Sequence, residues 1–150
     1  MRIPLDALCR TLEEVNHLRR SADPARRRDW DRLERVCDSL FDAGSFLATY
    51  GSLAPGAAHH DLLDTVAGSW SHGYVRGELC AEGWGATLGY PALRWVPDGP
   101  RVPVHVLHAP KLAEHWARLD RFEGEDYCRI LVPVESDSEV VTVANLYERR

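Results

Sequence analysis

Phe46-Leu47-Ala48-Thr49-Tyr50-Gly51-Ser52-Leu53-Ala54-Pro55-Gly56 is a short apolar strand running into a tight turn. About seventy residues later, Leu119-Asp120-Arg121-Phe122-Glu123-Gly124 reads as a helix that ends on an acid, with a new strand beginning at Tyr127. The pair points to a backbone loop that cradles an anion and a single carboxylate poised as a base. Gly51 admits a positive φ and close approach of a ligand to the main chain, and successive amides in such a turn converge on a carboxylate. Ser52 adds a hydroxyl donor. No Gly-Lys-Ser/Thr follows Gly56, so this is not a phosphate loop. On spacing alone, an ordinary strand-to-loop turn would look the same.

The acid segment is more telling. Leu112, Trp116, Leu119 and Glu123 recur at intervals of 4, 3 and 4, which puts them on one helix face. Glu123 is therefore in phase with the apolar stripe. An acid there is either a satisfied structural group or a functional one, because burying a charge is costly. Partial desolvation, the negative end of its own helix, and nearby Asp120, Glu125 and Asp126 should all raise its pKa. A carboxylate raised in this way is a better general base near neutral pH. Gly124 then ends the helix.

Outward from these segments, residues 45–150 read as short strands and turns. Strands are expected at 45–49, 74–81, 92–96, 102–108, 127–135 and 139–146, the last two as a hairpin across Ser136-Asp137-Ser138. Pro133 implies a bulge or an edge position. Helices are expected at about 59–66 and 110–122. Mixed strands with few helices make an α+β domain with a curved sheet or small barrel. Residues 1–44 are different, forming an N-terminal helical extension. Leu5, Leu8, Leu12, Val15 and Leu18 mark one amphipathic helix. Asp23-Pro24 restarts a second, with Trp30, Leu33, Cys37, Leu40 and Phe41 on one face and an end near Gly44. Packing on the core is the first expectation for this hairpin. A homodimer contact through it comes next, and a lid is a third reading.

The chain has 150 residues and a formal net charge of -5, which argues against nucleic acid as a partner. Arg26-Arg27-Arg28 is followed at once by Asp29 and Asp31, so it reads as a solvated helix face. No apolar run approaches the roughly 20 residues of a membrane span, and no signal-peptide core is visible. A cytoplasmic protein with no membrane partner is expected. Cys9, Cys37, Cys80 and Cys128 form no C-x-x-C pair and read as buried thiols. His105 and His108 fall on opposite faces of a strand and cannot readily chelate together, so no metal site is expected. Ser52 lacks the G-x-S-x-G flanks of a nucleophile elbow.

Tyr50-Gly51-Ser52-Leu53-Ala54-Pro55-Gly56 resembles the opening loop of the γ-glutamylcyclotransferase-like family, which includes the AIG2-like proteins. Val75-Arg76-Gly77-Glu78-Leu79, Gly89-Tyr90-Pro91-Ala92-Leu93 and the acid segment with Tyr127-Cys128-Arg129 extend the resemblance over about residues 45–147. It implies a small mixed β-barrel with flanking helices, and an enzyme that converts a γ-glutamyl amine or amide to 5-oxoproline and free amine. Glu123 would be the catalytic base. Tyr50, Gly51, Ser52 and Leu53 would bind the γ-glutamyl end, with Tyr127 and Tyr147 as hydrogen-bond donors or walls. No cofactor is implied. The alternative is a catalytically inactive AIG2-like module that binds a small molecule or a partner. The amine leaving group is not described by these motifs.

Overall fold

Period-two alternation organises the core. Ala48, Val106 and Leu146 belong to one buried apolar cluster, while their chain neighbours Leu47, Leu107 and Tyr147 belong to another. The strands of Ala48 and Leu146 thus have both faces covered and read as continuous buried runs, whereas that of Val106 alternates buried and exposed residues until Val106-Leu107. The computed structural model describes residues 4–21, 24–80, 89–137 and 139–150.

Six strands carry these faces: β1 (Phe46–Thr49), β2 (Ser69–Cys80), β3 (Ala92–Trp95), β4 (Arg101–His108), β5 (Tyr127–Ser136) and β6 (Glu139–Arg149). Their order is β3-β2-β4-β1-β6-β5, and β5 also pairs with β2 at Tyr74↔Glu135. That contact closes five strands into a barrel, with β3 attached along β2 (Gly77↔Trp95 to Cys80↔Ala92). The fold is the α+β barrel with flanking helices expected from the sequence. Closure is tight at Gly73, where a Cβ would stand 2.6 Å from Val134 Cγ1. A register shift between Val134 and Glu135 lies beside Pro133, as a strand proline requires. β1 and β6 pair in parallel at Leu47↔Asn145, although almost the whole domain separates them in sequence.

Helix α1 (Leu5–Ser21) lays Leu8, Leu12 and Val15 into the cluster that contains Ile130 and Val132 of β5. Its apolar stripe is interrupted by two buried polar residues. Asn16 exchanges two 2.8 Å hydrogen bonds with the Leu131 main chain, and Arg19 reaches Glu34 and the Asn145 side chain. Helix α2 (Arg27–Phe41) follows a 3-10 turn at Pro24–Arg26 and leaves Val36 and Leu40 exposed. It ends on Asp42 in the left-handed conformation (φ 53°) rather than near Gly44, and a 3-10 turn (Ala43–Ser45) leads into β1. Asp23, the expected N-cap, lies outside the described residues.

Three further element boundaries differ from expectation. β2 begins at Ser69 instead of Tyr74, because pairing with β4 from Ser69↔His108 onward recruits a stretch with little apolar alternation of its own. The helix expected at 59–66 is a 3-10 turn, His60–Leu63. That expected at 110–122 divides into a 3-10 turn (Leu112–His115) and helix α3 (Trp116–Glu123). Among the described residues, no helix is long and apolar enough to cross a membrane.

Candidate active site

Tyr50, Gly51, Ser52, Leu53, Glu123, Tyr127 and Tyr147 line one cavity of about 430 Å³, its open mouth included. The three aromatic residues come from three strand ends, the turn follows β1, and the acid closes α3. Leu47, Ala48, Thr49, Tyr90 and Pro91 complete the wall and are absent from the sequence-based set. For Tyr90 the signal was the Gly89-Tyr90-Pro91 motif. For the β1 residues it was adjacency to the turn.

The turn uses its carbonyls within the protein. Gly51 C=O accepts from Ala54 N–H at 3.0 Å, Ser52 C=O accepts from His59 N–H at 2.8 Å, and Leu53 C=O lies 3.0 Å from His60 Nδ1. Among the described residues, the Ser52 and Leu53 amides have no main-chain acceptor, and the Ser52 hydroxyl has no hydrogen-bond partner. Gly51 does not use the positive φ open to it; that conformation occurs at Gly56 (φ 81°). A Cβ on Gly51 would meet only Tyr90 Cβ, at 3.9 Å. The glycine therefore keeps space open beside Tyr90 rather than relieving backbone strain.

Glu123 is 8% exposed, together with fully buried Leu119 on the same face of α3. Gly124, at φ 77°, caps the helix through its N–H to Asp120 C=O at 3.0 Å. Burial, reinforced by the charge of Asp120, pushes the Glu123 carboxyl from its ordinary 4.5 up to about 7. Near neutral pH it thus holds and releases a proton with comparable ease.

The tyrosines are fixed. Tyr50 donates its hydroxyl to Tyr147 C=O at 2.6 Å and accepts from Leu93 N–H at 3.2 Å, so it serves the pocket as a wall. Tyr147 donates to Asp120 Oδ1 at 2.7 Å. Burial pushes both phenols well above their usual range, which keeps them protonated donors at neutral pH. The Tyr90 hydroxyl accepts from Ala58 N–H at 3.0 Å and ties the turn region to the loop before β3.

The remaining candidates stand elsewhere. His105 faces His72 across the β2–β4 pairing, ring centroids 4.8 Å apart, while His108 stacks on Phe46. Cys9, Cys37 and Cys128 are buried thiols and Cys80 is half-buried.

The family model described as "Gamma-glutamyl cyclotransferase, AIG2-like" matches residues 47–150. The chain belongs to this family. The match begins inside β1 and takes in every residue of the cavity wall. Solved structures agree on the fold. YkqA from Bacillus subtilis is 26% identical over 71% of this chain and 36% of that one (TM-score 0.54). This chain therefore spans only about a third of that relative's length. An AIG2-like protein from Mus musculus is 20% identical over 69% of this chain and 76% of that one (TM-score 0.53). An uncharacterised protein, PH0828 from Pyrococcus horikoshii, is 21% identical with the same coverage (TM-score 0.52). No curated protein matches the chain.

Proposed function

We propose that this family member is a γ-glutamyl cyclotransferase that converts a γ-glutamyl amine or amide to 5-oxoproline and free amine. One observation carries the reading: a buried carboxyl with its pKa near 7 shares a cavity with a turn whose Ser52 and Leu53 amides lack main-chain acceptors. Glu123 takes a proton from the substrate's α-amino group. The freed nitrogen attacks the γ-carbonyl carbon, forming the C–N bond of a five-membered lactam. The protonated Glu123 then returns a proton to the departing nitrogen as the original amide bond breaks. No water is consumed. The reaction is intramolecular, so holding a folded conformer supplies much of the rate.

The turn amides and the Ser52 hydroxyl bind the α-carboxylate or the oxyanion that develops on the carbonyl oxygen. Tyr127 and Tyr147 wall the γ-glutamyl group. The test is 5-oxoproline release across a panel of γ-glutamyl amino acids, γ-glutamyl-lysine-type conjugates and simple amines. Turnover of at least one member is expected, reduced on the order of a thousandfold in Glu123→Gln. Full activity in that variant would overturn the mechanism, and ligand-induced stabilisation without product would identify a binding module instead.

A further inference from the structure

Asp120 is half-exposed, one turn before Glu123, and lies outside the cavity wall. Its Oδ1 nevertheless accepts two hydrogen bonds, from the Tyr147 hydroxyl at 2.7 Å and from Arg129 Nε at 3.0 Å. Arg129 is itself held. Its guanidinium lies 4.5 Å over the Trp116 ring, at the other end of α3, and donates to Asn145 Oδ1 at 2.9 Å. Asn145 is fully buried, accepts a second guanidinium bond from Arg19 of α1, and donates to Ala43 C=O. A carboxylate on a short helix is thus locked by groups from β5 and β6, whose positions the barrel fixes.

We propose that Asp120 is a positioning residue of the site: clamped by Arg129, it orients the Tyr147 hydroxyl and stands as a fixed negative charge beside Glu123. The inference rests on the functional reading above and deepens it. The titratable groups around Glu123 come from each surrounding element. Asp120 belongs to its own helix, Tyr50 to the end of β1, Tyr127 to β5 and Tyr147 to β6, with Arg129 on β5 behind Asp120. The Tyr50 and Tyr147 phenols stay neutral below their raised pKa values. Asp120 and Arg129 are therefore the two fixed charges of this group, of opposite sign. Residues three apart on a helix are neighbours, so the Asp120 charge reaches Glu123 directly. It disfavours ionisation of Glu123, and Arg129 moderates that effect by neutralising Asp120.

The test is titration of the Glu123 carboxyl by carbon-13 NMR in wild type, Asp120→Asn and Arg129→Gln, alongside the pH dependence of kcat and KM. Asparagine keeps an acceptor oxygen for Tyr147 and Arg129 while removing the charge. In Asp120→Asn the Glu123 midpoint should fall by about half a unit. The acid limb of kcat should move with it, and KM should stay within about twofold. Arg129→Gln should move the midpoint the opposite way. Midpoints unchanged in both variants, or displaced in the same direction, would overturn the proposal. Should one variant fail to fold, the sign in the other decides. The titration requires no turnover, so an inactive protein would remove the catalytic reading while the midpoints still judge Asp120.

Discussion

The seam between α1 and the barrel and the cavity at the end of α3 both bury polar side chains, to opposite effect. In the seam, Asn16 matches both main-chain groups of Leu131, and Arg19 bonds Glu34, Asn145 and the Arg129 carbonyl. Its pKa is lowered by burial, with Glu34 acting against that. In the cavity, the Glu123 carboxyl lines open space and its pKa is displaced toward neutrality. Buried polarity matched by protein partners is structural. Buried polarity that borders a cavity and carries a displaced pKa costs stability, the trade that functional sites commonly make.

Removing a polar group should therefore change stability in opposite directions in the two regions. The largest effect is expected in the seam. Asn16→Ala strips partners from a buried N–H and a buried C=O, and should cost about 4 kcal/mol by urea denaturation. A loss below about 1 kcal/mol would mean that the seam is not held this way.

Glu123→Gln should do the reverse. The folded pKa of about 7 lies above the ordinary 4.5, so between these values the folded state holds a proton that the unfolded state has released. Wild-type stability should fall as pH rises through that window and level off above it. The variant, which has nothing to ionise there, should gain up to about 3 kcal/mol relative to wild type at pH 8 and nothing at pH 4. Parallel stability curves for the two proteins would erase the contrast.

The smallest effect sharpens the comparison within the cavity. Ser52→Ala removes a hydroxyl that lacks a partner among the described residues, so stability should change by less than about 0.5 kcal/mol. The corresponding loss should appear in catalysis, about tenfold in kcat/KM for a γ-glutamyl substrate. Equal catalysis in both proteins would take Ser52 out of the binding set.

Much of the cavity was legible because local patterns determine it. The phase that joins Leu112, Trp116, Leu119 and Glu123 survives the break into a 3-10 turn and a helix, since the end of the run alone needs to be helical to bury Glu123. The turn after β1 announced itself through Gly51-Ser52. What went unread depends on partners far along the chain. The first half of β2 has no apolar alternation and is a strand because β4 pairs with it. Gly73 is needed where Val134 crosses it, a contact that nothing near Gly73 encodes. Asn16 and Arg19 sit among α1's apolar positions, where polar residues in a buried stripe were the available signal. The Arg129–Asp120 clamp has no sequence signal at all, because it joins a helix to a strand through side-chain geometry.

The parallel pairing of β1 with β6 has a consequence for how the protein comes into being. On the ribosome, β1 and the Gly51-Ser52 turn are made early, yet β1 lacks one neighbour until β6 emerges. Tyr147, which receives the Tyr50 hydroxyl, travels on that same late strand. Such a topology, rich in distant contacts, folds slowly and leaves the nascent barrel with an unpaired edge. A chain stalled before β6 would lack both the strand that joins β1 to β5 and the Tyr147 wall of the pocket, so the site is completed last.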